Sequence, residues 1–228
     1  MNPHHLVSIL GTSAATALAI ITAPTPFASA DPAAANGACP DAEVVFARGT
    51  NDPPGLGDVG QAFVDSLRSK VGGKSLGVYP VNYPASMDFS TGLDGINDAG
   101  THVEQMAANC PSTKMVLGGY SQGAAVMGFV TSATVPNGAP ADAPQPMPAD
   151  VANHVAAVTL FGTPSNQFMN MVGQPPIVIG PLYAAKTQEL CAAGDPVCSD
   201  GGDWAAHDHA YVNSSVIDQG ATFAASQI

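Results

Sequence analysis

The sequence is poor in basic residues. Six lysines and arginines stand against 18 aspartates and glutamates among 228 residues, and the formal net charge is −12. Nucleic-acid-binding proteins neutralise phosphates with lysine and arginine, so a chain with so few of them is not expected to bind DNA or RNA. Anionic surfaces would also repel the protein unless apolar contacts outweigh the repulsion. We interpret the acidity as a property that keeps the protein in solution.

Long apolar runs are also scarce, and the most prominent one lies at the amino terminus. Residues 6–21 are uncharged and apolar, and the small residues Ala28-Ser29-Ala30 follow them. This pattern predicts a secretory signal peptide over 1–30, cut before Asp31, with one domain over 31–228. The leading residues contain no lysine or arginine, which departs from the usual plan, and a membrane anchor is the alternative. We expect a monomer that is secreted or associated with the cell envelope, without stable membrane insertion.

Cysteine is rare but even in number. The four cysteines are Cys39, Cys110, Cys191 and Cys198. In an exported chain an even number indicates two disulfides, and four cysteines allow three pairings. We predict Cys39–Cys110 and Cys191–Cys198, of which the second would close a short loop. The chain has no C-x-x-C pair and no close cluster of cysteine and histidine, so a zinc site is not expected.

Strand-like and helix-like segments alternate through the predicted domain. Short apolar runs predict strands at 43–47, 77–83, 114–118, 154–161 and 186–191. Amphipathic or alanine-rich segments between and after them predict helices, the last one over 215–228. This alternation predicts an α/β fold with a parallel sheet of about five strands and helices on both faces. The proline- and alanine-rich stretch 135–149 is interpreted as a surface loop within this domain.

A G-x-S-x-G pattern occupies residues 119–123, with Ser121 at its centre. An apolar strand precedes it and an alanine-rich helix follows it, which is the context of a nucleophile elbow. Glycines are needed on both sides of the serine, because a Cβ there would collide with the neighbouring strand or helix. The amino terminus of the helix would stabilise negative charge that develops during a reaction. The pattern therefore predicts Ser121 as a nucleophile.

A serine nucleophile needs a base, and the chain has six histidines. Four lie in the predicted signal peptide, in a helix or at the start of a strand: His4, His5, His102 and His154. In α/β-hydrolases the nucleophile, the acid and the histidine follow one another along the chain. His207 and His209 satisfy this order, and both lie in a predicted loop before the last helix.

The acid is expected just past the carboxyl end of a late strand. Asp195 fits, because it follows the strand that ends at Cys191 and lies inside the predicted Cys191–Cys198 loop. The alternatives are solvated carboxylates farther along the same stretch: Asp200, Asp203 and Asp208.

Several segments together resemble the cutinase family, and especially its secreted mycobacterial esterases. They are Val-Val-Phe-Ala-Arg-Gly-Thr at 44–50, the elbow at 118–123, Leu-Phe-Gly at 160–162, and 191–198 with Gly194-Asp195 inside. The segments occur in the family's order and span nearly the whole predicted domain. The resemblance implies a lidless α/β-hydrolase with the two disulfides named above.

The resemblance also implies roles for individual residues. Ser121 would be the nucleophile and Asp195 the acid, with an oxyanion hole at Thr50 and Gln122. Family members usually place the histidine three residues before a tyrosine, and that position here is Asp208. Counting from the glycines at 201–202 favours His207 as the base, with His209 as the alternative. No metal and no organic cofactor is required.

These residues predict a serine esterase that acts on carboxylic esters with short to medium acyl chains. Lipids or polyesters are included in the range of substrates considered. An acyltransferase with the same triad is one alternative, and a catalytically inactive secreted binding or antigenic protein is another. We expect apolar loop residues near Pro84, Ala85, Val197 and Trp204 to surround the acyl site. The apolar loop 171–183 belongs either to this rim or, through residues 177–179, to the core.

Overall fold

Five strands form one sheet in which every neighbouring pair runs parallel. In the computed structural model, which describes residues 39–212 and 214–228, the strands are β1 (Ala42–Ala47), β2 (Leu76–Pro80), β3 (Lys114–Tyr120), β4 (Val155–Phe161) and β5 (Thr187–Leu190). Their order across the sheet is β2-β1-β3-β4-β5. Strands β1, β3 and β4 are almost entirely buried, because helices cover both faces of a parallel sheet. The predicted fold class and strand number are confirmed.

Seven α-helices accompany the sheet within the described part of the chain. They are α1 (Gly57–Lys70), α2 (Gly92–Asn109), α3 (Gln122–Val130), α4 (Asn166–Met171), α5 (Pro181–Ala184), α6 (Trp204–His209) and α7 (Ser215–Gln227). Helices α1 and α7 pack together against one face, where Phe46, Phe63 and Phe161 form the centre of the core. Helices α2 and α3 pack against the other face, over Val45, Leu117 and their neighbours. The sheet therefore lies between two apolar cores.

Helix α6 corrects the prediction of a loop before the last helix. Asp203 precedes it, and the carboxylate of Asp203 accepts a hydrogen bond from the amide of Ala205, 2.9 Å away. An aspartate in this position caps the exposed amides at a helix start, and Asp203 is therefore the local sequence signal for α6. The correction matters because His207 and His209 lie on this short helix.

Two disulfides join the four cysteines in the predicted pairs, Cys39–Cys110 and Cys191–Cys198. The first ties the residues before β1 to the end of α2. The second closes the loop that contains Asp195, and this loop follows β5 directly. Disulfides reduce the conformational freedom of the unfolded chain, so both are expected to stabilise the fold.

No helix within residues 39–212 and 214–228 has the length and apolar character needed to cross a membrane. The predicted signal peptide at residues 1–30 lies outside the described residues.

Candidate active site

Ser121 stands at a sharp turn between β3 and α3. Its backbone adopts φ 54° and ψ −118°, a conformation that costs non-glycine residues about 1–3 kcal/mol. A Cβ on Gly119 would collide with the backbone of Gly123, and a Cβ on Gly123 would collide with the carbonyl of Ala47. The two glycines therefore allow β1, β3 and α3 to approach closely enough to hold Ser121 in this strained turn.

The hydroxyl of Ser121 meets an imidazole and a carboxylate in one hydrogen-bonded chain. The distance from Ser121 Oγ to His207 Nε2 is 2.8 Å, and that from His207 Nδ1 to Asp195 Oδ2 is 2.9 Å. The carboxylate accepts a hydrogen bond from Nδ1–H, which leaves Nε2 as an acceptor facing the serine hydroxyl. The structure thus brings together Ser121, Asp195 and His207, three residues selected from the sequence.

The carboxylate of Asp195 is fully buried and saturated with donors. Its Oδ1 accepts from the amide of Val197 at 2.8 Å, and its Oδ2 also accepts from the Tyr211 hydroxyl at 2.6 Å. Burial by itself raises the pKa of Asp195, but the hydrogen bonds from His207, Tyr211 and Val197 outweigh it and hold the pKa below its ordinary value. Asp195 is therefore ionised at neutral pH.

Tyr211 is a site residue whose role the sequence did not predict. Its ring is buried, and its hydroxyl accepts from the amide of Ala192 at 3.1 Å while it donates to Asp195. Burial raises the pKa of Tyr211, and the neighbouring Asp195 raises it further, so the hydroxyl stays protonated and able to donate. The available signal was a tyrosine that follows the two histidines closely.

Aromatic rings fix the orientation of His207. The ring of Tyr120 stacks on the imidazole with centroids 5.1 Å apart, and the Tyr120 hydroxyl donates to the His207 carbonyl at 2.5 Å. Trp204 packs against the imidazole edge to face at 5.8 Å. These contacts restrict the imidazole to the plane that joins Ser121 to Asp195.

A rigid loop after β1 carries Thr50 beside the serine. The buried side chain of Arg48 donates to the carbonyls of Asp52 at 3.0 Å and Tyr83 at 2.6 Å. The carboxylate of Asp52 in turn accepts from the Gly49 amide at 2.9 Å. These buried polar contacts tie the loop to the segment after β2, so Thr50 has little freedom to move.

Thr50 and Gln122, the two residues predicted for an oxyanion hole, both line the cavity at Ser121. Gln122 opens α3, and its side-chain amide donates to the Ser86 carbonyl at 3.0 Å. Within the part of the chain that the structure describes, the backbone amides of Thr50 and Gln122 donate no hydrogen bond. Both amides are thus available to an anionic oxygen at the serine.

The Cutinase family matches residues 38–228 of the sequence. This match covers every described residue of the fold and of the site.

The chain belongs to the cutinase family.

Named relatives agree with this assignment. The Mycobacterium tuberculosis protein "Probable carboxylesterase Culp5" is 66% identical over 166 residues, which cover 73% of this chain and 95% of that protein. "Carboxylesterase Culp1" of the same organism is 50% identical over 234 residues, which cover 100% of this chain and 98% of that protein. Among solved structures, a Trichoderma reesei cutinase in complex with a phosphonate inhibitor is 32% identical, with a TM-score of 0.63 over 83% of this chain and 77% of that chain.

A cavity of about 940 Å³ opens at Ser121 in this cutinase-family chain. Val197 and Trp204 line it as predicted, together with Met87 and Phe168. Pro84 and Ala85 do not line the cavity themselves, and Met87 of the same loop does. Ala85 is fully buried, and its carbonyl accepts from the Asn51 amide at 2.7 Å.

The loop 171–183 divides between the two roles considered for it. Residues 172–175 line the cavity, whereas Ile179 packs against the core beneath α3. The side chain of Ile177 lies over Gly128, where a Cβ would collide with it, and Val178 is 61% exposed. Only the first part of this loop thus belongs to the rim.

The competing site residues lie outside the chain of hydrogen bonds that joins Ser121, His207 and Asp195. His209, the alternative base, is exposed, and so are Asp200 and Asp203. Asp208 is exposed at the cavity edge, and the carboxylate that bonds to His207 Nδ1 is that of Asp195. His102 pairs with Glu43, and His154 bonds through Nδ1 to the Pro111 carbonyl at 3.0 Å.

One group of three potential metal ligands occurs among the described residues: Cys191, Asp195 and Cys198. The two cysteines are joined in a disulfide, and Asp195 bonds to His207, Tyr211 and Val197. Their donor atoms are therefore already engaged.

Proposed function

We propose that this cutinase-family protein hydrolyses carboxylic esters through Ser121 as nucleophile, His207 as general base and Asp195 as the acid that orients the base. The supporting observation is the continuous chain of hydrogen bonds from Ser121 through His207 to Asp195, at 2.8 and 2.9 Å. Such a chain lets a neutral imidazole take the serine proton as the hydroxyl attacks. The protein is a carboxylesterase, in agreement with the names of its relatives Culp5 and Culp1.

The reaction proceeds by acyl transfer in two halves. His207 Nε2 accepts the proton of Ser121 while Oγ attacks the ester carbonyl carbon. The backbone amides of Thr50 and Gln122 donate to the oxygen that becomes negative, and the amino terminus of α3 favours the same charge. His207 then returns the proton to the departing alcohol. Water, activated by the same histidine, releases the acid from Ser121.

Two further proposals concern where and on what the enzyme acts. We propose that it works outside the cytoplasm, because its two disulfides suit an oxidising compartment. We also propose uncharged esters as substrates, since the cavity at Ser121 is lined largely by apolar side chains and the protein is strongly acidic.

Hydrolysis of a p-nitrophenyl ester series tests this proposal. Wild type is expected to release p-nitrophenol, whereas Ser121→Ala and His207→Ala should each lower kcat/KM at least about ten-thousandfold. His209→Ala serves as the matched control, because His209 is exposed on the same helix, and it should retain near-wild-type activity. Equal rates for wild type and Ser121→Ala on every ester would overturn the hydrolase assignment. A new ester formed in the presence of an added alcohol, in place of free acid, would instead identify an acyltransferase.

A further inference from the structure

The cavity at Ser121 extends well beyond the reacting atoms. It continues between α2 and α3 as a groove, called here the α2–α3 groove, whose walls are Leu93, Ile96, Gly100, Val126, Phe129 and Val130. Phe129 is the one residue of α3 that is partly exposed, and its ring lines this groove. The walls are mainly apolar, although Asn97 and Thr101 on α2 also line the cavity, and the groove belongs to the same cavity as the serine hydroxyl.

The proline-rich segment 134–147 covers the α2–α3 groove. Its prolines at 136, 140, 144 and 146 line the cavity, and Met147 packs partly against the core below α3. Proline fixes φ and limits the conformations of the backbone, so this cover is stiff for a segment without helix or strand. The stretch that reads as a surface loop in the sequence is therefore one wall of the cavity.

The dimensions of the groove suit a hydrocarbon chain. Cavity-lining residues on α2 extend from Leu93 to Glu104, a distance of about 16 Å at 1.5 Å per residue. An extended acyl chain of about twelve carbons has a similar length, given ordinary carbon–carbon bond lengths. Thr101 and Glu104 are exposed at the far end, so the groove opens to water there.

The positions of His207 and α2 in the fold indicate whether the groove binds the acyl chain or the alcohol of an ester. His207 delivers the proton to the departing alcohol, so the alcohol must lie on the His207 side of Ser121. His207 and Asp195 follow β5, whereas α2 follows β2 at the opposite edge of the sheet. The α2–α3 groove thus begins on the side of Ser121 that faces away from the base.

Resting on the proposed function, we propose that the α2–α3 groove binds the acyl chain of the substrate and selects esters of acids with about ten to fourteen carbons. Each methylene buried in the groove is expected to raise kcat/KM by about fourfold at most, until the chain reaches the open end. Longer acids should then gain little, because their additional carbons lie in water.

Gly100 offers a variant that closes the groove without disturbing the fold. A Cβ at this position would meet no atom within 4 Å, and Gly100 lines the groove from the middle of α2. Leucine is also a better helix former than glycine, so Gly100→Leu should fold at least as stably as wild type. Gly100→Ala shares the gain in helix propensity but leaves most of the groove open. Ala108→Leu adds the same side chain to an exposed position of α2 that does not line the cavity.

The experiment measures kcat/KM for p-nitrophenyl esters from acetate to palmitate, below their aggregation concentrations, with thermal unfolding of each variant. Wild type should rise from acetate to about dodecanoate and then level off. Gly100→Leu should lower the ratio of dodecanoate to acetate hydrolysis at least tenfold. Gly100→Ala should lower it less than Gly100→Leu does, and Ala108→Leu should keep the wild-type ratio. An unchanged ratio in Gly100→Leu, with acetate still hydrolysed, would overturn the groove assignment alone. Loss of dodecyl acetate hydrolysis in Gly100→Leu, with dodecanoate hydrolysis intact, would place the alcohol there and also contradict the proposal. Absence of wild-type activity on all of these esters would instead contradict the proposed function.

Discussion

Two regions of the molecule use nearly the same side chains for different ends. The active site joins His207 to Asp195 at 2.9 Å, with a tyrosine ring stacked on the imidazole. A second group, called here the Glu43 cluster, consists of Glu43, Tyr79, Asp98 and His102. In it His102 joins Glu43 at 3.0 Å, Tyr79 stacks on the imidazole at 3.5 Å, and the Tyr79 hydroxyl bonds to Asp98 at 3.0 Å.

The difference between the two lies in their position in the fold. Asp195 binds the Nδ1 of His207 and leaves Nε2 to face a serine, whereas Glu43 occupies the Nε2 of His102. Glu43 lies near the start of β1, while the active site is built past the carboxyl ends of the strands. A histidine, a carboxylate and a tyrosine are therefore insufficient for this chemistry. The strained serine, the open cavity and the free amides make the site.

Replacing the two histidines gives the largest expected contrast. His207→Ala should lower kcat/KM at least about ten-thousandfold, because it removes the base from Ser121. His102→Ala should change kcat/KM by less than about threefold, since the Glu43 cluster does not line the cavity. Ester hydrolysis by the purified variants, with circular dichroism to check folding, measures both. A comparable loss of kcat/KM in the two variants would contradict the assignment of catalysis to His207 and of a structural role to His102.

Replacing the two carboxylates should produce the next largest difference. Asp195→Asn is expected to lower kcat/KM about a thousandfold, because the amide no longer holds the proton of His207 on Nδ1. Glu43→Gln should leave kcat/KM within about threefold of wild type, although it can lower the melting temperature. The same kinetic assay measures both variants, and near-wild-type activity in Asp195→Asn would exclude Asp195 as the acid.

The two tyrosine hydroxyls allow a finer test. Tyr211→Phe removes a donor from Asp195, so the carboxylate is held less firmly against His207. We expect about a tenfold loss of kcat with little change in KM. Tyr79→Phe is the matched control, since it removes a hydroxyl from the Asp98 carboxylate outside the cavity. An unchanged kcat in Tyr211→Phe would reduce Tyr211 to a packing role.

The smallest expected effect is on stability in acid. The pKa of Asp195 is lower in the folded protein than its ordinary value, so its contribution is complete above that ordinary value and is lost as the pH falls through the folded pKa. Asp195→Asn should therefore unfold about 2 kcal/mol more easily than wild type at pH 7 and by a smaller margin at pH 3. Urea unfolding at both pH values measures the difference. A margin that grows on acidification would mean that the sign of the shift is wrong.

Local patterns predicted much of the fold and part of the site. The strands could be predicted from short apolar runs. Ser121 could be predicted because the turn around it requires two glycines, each of which closely approaches the backbone of a neighbouring segment. The choice between His207 and His209 could not follow from spacing alone. Residues two apart on a helix point in different directions, and the sequence prediction had no helix there.

Tertiary packing decided the features that the sequence did not predict. The cavity wall formed by residues 134–147 depends on how a proline-rich segment lies across α2 and α3, and no periodicity records that contact. The Tyr211 hydroxyl reaches Asp195 only because α6 turns the chain back toward β5. Ala85 was expected at the cavity rim from its apolar character, but a backbone bond to Asn51 places it in the interior.

The most direct test of the catalytic triad is the site of covalent modification by an alkyl phosphonate ester, located by peptide mass spectrometry. Such reagents react with an activated serine hydroxyl, so the expected result is one adduct per molecule, on Ser121. His207→Ala should react far more slowly, and His102→Ala should react at the wild-type rate. A wild-type protein that hydrolyses esters but carries its adduct on a residue other than Ser121, or reacts equally fast without His207, would contradict the triad proposed here.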